Sequence, residues 1–234
     1  MNKVLILAGG KGSRMKKLNN IPKVFQLIND KPMLSYLIEK FRSIGFIDEN
    51  INIVFNQETL EYAKNVFGEH KFGTILQEVS NGTGGAVRSA VTYNQFNDDD
   101  NILICNGDNP FISIETLQNI SKNNQPTLSV METDNPEGYG RVILKDGMIV
   151  DIIEEKDCTP EQRKIKLVNT SIYVVPFHIL KDIITKIDTN NAQNEYYLTD
   201  IVKHYPFNPY YIQNIDECFN INTPEQLIQG KELA

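Results

Sequence analysis

Residues 5–15 read LILAGGKGSRM, an apolar run that breaks into Gly9, Gly10 and Gly12 with Lys11 and Arg14 set among and just after them. A short β-branched and leucine-rich run bounded by glycine is a strand signal. The glycines then let backbone N–H groups come close to a phosphate chain, and a helix opening near Ser13 would turn its positive end toward the same anion. Strand, bare loop and helix form the opening unit of an α/β fold. Two familiar phosphate loops fail the match: no GxxxxGK[ST] is present, and Met15 stands where a dinucleotide fingerprint needs its third glycine. A tight structural turn explains the glycines equally well at this point.

Further along, runs of strand length recur at Ile51–Phe55, Thr74–Gln77, Ile102–Cys105 and Thr127–Val130. Between them apolar residues take helical spacing: Met33, Leu34, Leu37, Ile38, Phe41; then Leu60, Ala63, Val66, Phe67; then Ala86, Ala90, Val91; then Ile114, Leu117, Ile120. Strands alternating with helices predict a parallel sheet covered on both faces. After residue 138 the rhythm becomes hairpin-like. Asp146–Gly147 supplies a two-residue turn between Arg141–Leu144 and Met148–Ile153, and a strand over Leu167–Val175 is stopped by Pro176. Helices at about 177–187 and 197–205 and a short strand over Tyr210–Ile212 complete the pattern. No linker or repeat divides the chain, so the second half is expected to elaborate the same sheet.

Charge narrows the ligand. Among 234 residues the net charge is −7, which argues against nucleic acid or an anionic membrane as partner. Yet Met1–Asn29 holds no Asp or Glu while carrying Lys3, Lys11, Arg14, Lys16, Lys17 and Lys23. An acidic chain that keeps one segment free of carboxylates brings a small anion to it, unless the lysines are only a solvated run. Cys105, Cys158 and Cys218 form no CxxC pair and read as reduced thiols, and His70, His178 and His204 are too scattered for a metal cluster. No apolar run is long enough to span a bilayer and no secretory leader precedes the glycines, so a cytoplasmic protein is expected.

In open parallel sheets ligands bind beyond the carboxyl ends of the strands. Asp108, in NILICNGDNP, leaves a buried strand at that edge and suits one or two positions of an octahedral Mg²⁺, or else a turn in which Asp108 and Asn109 bond their own backbone. Asp98–Asp100 precede the same strand, fall at the opposite edge and read as a solvated turn. QEVSNGTGGAV, residues 77–87, again leaves a strand and opens a helix; Gln77 has the donor and acceptor to read a base edge, and its glycines would let a flat ring lie on main chain. A flexible capped helix start is the competing reading.

Taken in order, LAGGKGSRM, Pro22–Lys23, QEVSNGTGGA, Gly107–Asp108, GYGR (138–141), IEEKD (153–157), VNTSIYV (168–174), NEYYLTD (194–200) and NINTPEQL (220–227) resemble the pyrophosphorylase domain of bacterial N-acetylglucosamine-1-phosphate uridyltransferases, within the sugar nucleotidyltransferase superfamily. The likeness spans essentially all 234 residues, without a counterpart of the acetyltransferase half of those bifunctional enzymes. It implies one domain with a Rossmann-like, mostly parallel sheet flanked by helices. About 1–135 would form a nucleotide-binding half and about 136–234 a smaller β-rich, sugar-binding or lid half. The reaction implied is UTP plus N-acetylglucosamine 1-phosphate giving UDP-N-acetylglucosamine and pyrophosphate, with Mg²⁺.

By the same resemblance Leu7, Ala8, Gly9, Gly10, Lys11, Gly12 and Arg14 surround the triphosphate, Lys23 reaches the phosphates, and Gln77, Gly82 and Thr83 hold the pyrimidine. Asp108 and Asn222 would ligate the metal. Gly140, Glu154, Asn169, Glu195, Tyr197 and Thr199 would line the sugar pocket, with Lys156 meeting the sugar phosphate. Arg14, Lys23 and Asp108 are the expected catalytic set. Three departures stand out: a longer loop between Arg14 and Pro22, Asn109 in place of an aliphatic residue, and Gly85 in place of a His after GTG. Another sugar 1-phosphate, or CTP or TTP, is the alternative within the family. A nucleotide-sugar sensor on the same fold is the alternative outside it; a glycosyltransferase would require an acidic metal pair where only Asp108 stands.

The expected chemistry fits the residues. A sugar 1-phosphate, with a second pKa of about 6, is already a dianionic nucleophile at neutral pH and needs no general base. What it needs is cations and N–H groups that let it approach a polyanionic nucleotide.

Overall fold

The computed structural model describes residues 2–15, 18–93 and 96–233. Its sheet is built on β1 (Asn2–Leu7), a fully apolar strand after its first two residues, flanked on one side by β4 (Ile51–Phe55) and β5 (Gly73–Leu76). β2 (Leu27–Ile28) and β3 (Lys31–Pro32) form a separate two-stranded hairpin. On the other side of β1 lies β6 (Asn101–Asn106), and β1 runs parallel to both β4 and β6. The chain thus moves outward from β1 to β4 to β5 and then returns across β1. That reversal opens a crevice at the carboxyl ends of β1 and β6, where Gly9 and Asp108 leave the sheet.

Beyond β6 the order continues through β10 (Leu167–Pro176), β7 (Thr127–Glu132) and β11 (Asn208–Tyr211). β10 runs antiparallel to both β6 and β7. The alternation of strands and helices did not show this reversal. It arises because β7 and β10 are joined through the hairpin β8 (Arg141–Lys145) and β9 (Met148–Ile153), not through a crossover helix, and only a crossover imposes parallel pairing. The hairpin pairs with β10 at Arg141 opposite Val168, bridges to Phe207 just before β11 through Ile149, and buries Val142, Ile149 and Ile152 in the main core.

Alternate residues of β1 feed two cores. Leu5 and Leu7 pack with α3 (Thr83–Thr92), α5 (Phe177–Ile183) and Leu198, Ile201 and Val202. Val4, Ile6 and Ala8 pack with α1 (Met33–Ser43), α2 (Gln57–Phe67) and α4 (Ile114–Ile120). This two-sided burial is why the strand reads as a continuous apolar run. A smaller cluster of Met15, Ile28, Met33, Ile221 and Leu227 seats α6 (Pro224–Leu233) beneath the first loop.

Three boundaries move. The helix expected at 177–187 ends at Ile183, the one expected at 197–205 is a six-residue 3-10 segment over Leu198–Lys203, and the last strand is Asn208–Tyr211. Where a helix is expected from Ser13, the described residues show a tight turn, Met15 N–H bonding Gly12 O at 2.9 Å. Lys16 and Lys17 lie outside the described residues. In the turn expected to be solvated, Asp98 and Asp99 are exposed, whereas Asp100 is buried and its carboxylate receives Asn97 N–H at 2.9 Å.

Candidate active site

The three glycines of the first loop serve different ends. A Cβ on Gly9 would lie 3.0 Å from Gln77 Oε1 and 3.1 Å from Asn56 N. Asn56, held by a capping box at the start of α2, also donates to Gly9 O at 2.8 Å. Gly12 takes φ +54°, where L side chains are strained, and a Cβ there would press on Lys23 Cβ at 3.0 Å. Gly10 has nothing within 4 Å of that position. Two glycines therefore answer to packing and one to open space, and Lys11 and Arg14 stand exposed around it.

Opposite this loop, Gly107 N–H bonds Leu7 O at 2.9 Å, bringing Asp108 beside the end of β1. Lys23 Nζ is ion-paired to Asp108 Oδ2 and donates to Asn222 Oδ1 at 3.0 Å. Ile221 N–H bonds Asp108 O at 3.1 Å, and the N–H groups of Asn222 and Thr223 share Gln226 Oε1, which holds Asn222 in place from α6. Asp108 Oδ1 is buried and has no hydrogen-bond partner among the described residues. Two residues 114 positions apart thus converge on a single cationic point.

The second loop is pinned from behind. Gln77 Nε2 donates to Asn81 Oδ1 (3.2 Å) and Gly82 O (3.1 Å), which directs its amide hydrogens into the loop. Gly82 has φ +105°, and a Cβ there would lie 2.4 Å from Tyr196 O. Gly84 N–H bonds Tyr196 O, Tyr196 N–H bonds Asn81 O, both at 2.8 Å, and Leu198 N–H bonds Thr83 Oγ1 at 3.1 Å. Gly82 and Gly84 are therefore required by contact with 194–198 rather than by open main chain. Gly85 has a local cause too: a Cβ would fall 1.8 Å from Asn81 Oδ1, so the Asn81 carboxamide fills the space a side chain at 85 would take.

These elements enclose a cleft with two lobes. The first, about 450 Å³, is lined by Leu7, Gly9, Gly10, Lys11, Gly12, Arg14, Lys23, Gln77, Gly82, Thr83, Asp108, Glu195 and Asn222. The second, about 350 Å³, is lined by Gly140, Glu154, Asn169 and Thr199. Arg14, Thr83, Asn106, Asp108 and Asn222 line both lobes and mark their junction.

The second lobe rests on buried side chains. Burial pushes the Glu154 carboxyl above its ordinary range, partly offset by the hydrogen bond from Thr199 Oγ1 at 2.9 Å. Asn169 N–H bonds Gly140 O at 2.9 Å, and its Oδ1 receives Ser171 N–H at 2.8 Å. Ser171 adopts φ +63° where the register of β10 shifts between Asn169 and Tyr173. This bulge turns the side chains of β10 toward the lobe, as bulges beside sites commonly do.

Not every residue implied by the resemblance meets there. Ala8 is buried behind the loop, with its N–H bonded to Val54 O at 2.8 Å. Glu195 faces the first lobe and not the second. Tyr197 lines a separate cavity of about 300 Å³ with Asp157 and Lys203, and burial pushes its hydroxyl pKa up. Lys156 is exposed on the 3-10 turn Glu155–Asp157 and lines neither lobe. Conversely, Asn106, Ser171, Tyr173 and Asn220 line the second lobe without having been singled out. Asn106 ends β6 at the ligand edge and Asn220 stands two positions before Asn222, so strand-end position was the available signal.

The profile of the nucleotidyl transferase family matches residues 3–215. Among solved structures, one carrying the provisional name glucose-1-phosphate thymidylyltransferase, from Bacillus anthracis and holding sucrose, superposes with a TM-score of 0.79 at 20% identity, covering 100% of this chain and 95% of that one. A UDP-glucose pyrophosphorylase holding UDP-glucose gives a TM-score of 0.75 at 18% identity over 99% of this chain and 97% of its own. At those identities the likeness is one of fold: a mostly parallel sheet flanked by helices, with a small antiparallel portion. With the family profile matched across more than nine-tenths of its length, this chain belongs to the nucleotidyl transferase family of enzymes.

Proposed function

We propose that the protein transfers a uridylyl group from UTP to N-acetylglucosamine 1-phosphate, forming UDP-N-acetylglucosamine and pyrophosphate. The observation that carries a two-substrate transfer is the junction: Arg14, Thr83, Asp108 and Asn222 border both lobes, so a phosphate bound between them touches whatever fills either side. About 1–135 would then supply the nucleotide side and about 136–234 most of the sugar side.

In this reading the sugar phosphate enters as a dianion, and one of its oxygens forms a bond to the α-phosphorus of the nucleotide. The bond from that phosphorus to the bridging oxygen breaks in line, and pyrophosphate leaves with the electron pair. The N–H groups around Gly10 and the charges of Lys11, Arg14 and Lys23 offset the repulsion between the two anions, a kind of contribution worth about 10²–10³ in rate per well-placed donor. Thr83 and Gln77 hold the pyrimidine side. Glu154, Asn169 and Gly140 O accept and donate around the sugar hydroxyls and amide.

The residues fit a divalent ion. Asp108 and Asn222 offer hard oxygen donors to one point, Lys23 Nζ already places positive charge there, and Asp108 Oδ1 lacks any other partner among the described residues. Such a partial set suits Mg²⁺, which keeps waters and phosphate oxygens in its remaining positions. When bound, the ion supplies charge neutralisation at the phosphates.

A second reading within the family is supported by the two superposed structures, whose names refer to glucose 1-phosphate thymidylyl transfer and UDP-glucose: the acceptor would be glucose 1-phosphate, or the base thymine. A pyrophosphate-release assay with Mg²⁺ decides, crossing UTP, TTP, CTP and ATP with N-acetylglucosamine 1-phosphate and glucose 1-phosphate. The proposal expects the highest kcat/KM for UTP with N-acetylglucosamine 1-phosphate. Preference for another pair moves the assignment to that pair, and release with none contradicts transferase activity altogether.

A further inference from the structure

Just outside the second lobe, one carboxylate collects three donors from two segments, 138–141 and Arg163. Glu155 Oε2 lies 2.7 Å from Arg141 Nη1 and accepts Gly138 N–H at 3.1 Å, while Oε1 is paired with Arg163 Nη1. Arg141 is buried, with its side chain 2% exposed, and its Nη1 also bonds Tyr139 O while Nη2 reaches Arg163 O at 3.4 Å. No other carboxylate is recorded within ion-pair reach of that guanidinium among the described residues. A buried arginine so held leaves an uncompensated charge if its one anionic partner is removed.

The segments tied together are the ones that shape the lobe. Gly138, Tyr139 and Gly140 form one rim. Glu154, on the wall, is the residue before Glu155 and caps its 3-10 turn, with Asp157 N–H bonding Glu154 O at 2.9 Å. Gly140 is hemmed between them: a Cβ there would lie 2.8 Å from Ile152 Cγ2 and 3.5 Å from Glu154 Oε2. The β8–β9 ladder ends at Arg141 opposite Ile153, and beyond that pair residues 138–140 are tied to the 154–157 turn by Glu155, which accepts Gly138 N–H, while Gly140 O is bonded from the other side by Asn169 N–H. Burial tends to raise the Glu155 pKa, but the hydrogen bonds from Arg141 and Gly138 N–H and the charges of Arg141 and Arg163 outweigh it and hold the carboxyl below its ordinary range. It stays ionised at neutral pH.

We infer that Glu155 is a positioning residue for the acceptor substrate: it clasps the 138–141 rim to the Glu154 wall, and so sets affinity for the sugar phosphate without touching it or the nucleotide. The inference rests on the second lobe being the acceptor site. In Glu155→Gln the side chain keeps its size and one acceptor oxygen but loses the charge that orders the two guanidinium groups and the Gly138 amide.

The test pairs kinetics with hydrogen exchange on the full chain. Glu155→Gln is expected to raise KM for the sugar 1-phosphate about 10-fold while KM for the nucleotide and kcat stay within about 2-fold, a split that general destabilisation does not produce. Glu155→Asp, which keeps the charge, is expected to recover part of the loss. In the substrate-free protein, amide exchange over 137–141 should speed up at least about 10-fold in Glu155→Gln, with residues 9–14 unchanged. Unchanged exchange at 137–141, or a KM rise shared equally by both substrates, overturns the clasp. Wild-type protein that turns over no sugar 1-phosphate instead contradicts the acceptor site itself, and exchange then still decides whether Glu155 holds the rim.

Discussion

The two lobes of the cleft are made in different ways. The first lobe, which we propose takes the nucleotide, is mostly backbone: a glycyl loop after β1 and another after β5, with exposed cations around them. The other lobe is mostly side chain: half-buried Glu154 bonded by buried Thr199, and buried Asn169 fixed by Ser171 N–H, with the Arg141–Glu155 pair just behind them. Backbone recognition suits a phosphate chain, whose charge is common to all nucleotides. Side-chain recognition suits a sugar, where a buried polar group left unpaired penalises the wrong ligand. The junction at Asp108 should therefore be sensitive to any change, the first lobe to changes in backbone, and the second to single side-chain atoms.

The largest effect is expected at the junction. Asp108→Ala should lower kcat by about 10²–10³-fold or more while circular dichroism stays close to wild type. The melting temperature should fall only modestly, because the lost Lys23 Nζ–Asp108 Oδ2 pair leaves Lys23 its bond to Asn222 Oδ1 and Asp108 Oδ1 makes no hydrogen bond among the described residues. Turnover within a few-fold of wild type would remove Asp108 from the centre.

Next come two glycines that contrast with each other. Gly82→Ala places a Cβ 2.4 Å from Tyr196 O at φ +105° and should cost about 2–4 kcal/mol of stability, read by denaturant unfolding. Gly10→Ala meets nothing within 4 Å and should leave stability within about 0.5 kcal/mol while raising nucleotide KM roughly 10-fold, since the added methyl stands where phosphate would approach. A Gly10→Ala protein with unaltered nucleotide KM would break the idea that this glycine exists for access.

The smallest effects are predicted in the second lobe. Glu154→Gln should raise sugar-phosphate KM about 5-fold with nucleotide KM unchanged. It should also change stability in a defined direction with pH. Burial raises the Glu154 pKa above its ordinary 4.5, so this carboxyl favours the folded state while protonated and loses that contribution as pH rises from 4.5 through the raised value. Glu154→Gln should melt higher than wild type at pH 7, and the difference should shrink as pH falls toward 4.5. A constant or opposite difference would indicate that Glu154 is well solvated or firmly paired.

How far the sequence could be read follows the same division. Backbone features leave strong local marks: the glycines after β1, the Asp at the end of β6 and the doubly buried apolar strands were all visible as motifs or periodicity. Their reasons were not. Gly9 and Gly12 answer to Gln77, Asn56 and Lys23, and Gly85 to Asn81, which are contacts made only in three dimensions. The antiparallel insertion of β10 was hidden because strand direction depends on connection and not on composition. Asn106, Ser171 and Asn220 carry no spacing rule; they reach the second lobe through a strand end, a bulge and a loop beside Asn222. Lys156 and Tyr197 show the converse, since adjacency in a motif does not decide which way a side chain leaves a 3-10 turn.

The most direct test is a crystal structure with Mn²⁺ and the nucleotide-sugar that the protein itself produces. The account predicts the diphosphate lying against Gly10–Arg14, an anomalous peak touching both Asp108 and Asn222 with Lys23 Nζ moved off that point, the base beside Gln77, and the sugar between Gly140, Glu154 and Asn169. A diphosphate bound away from the first loop, with no ion at Asp108, would contradict it.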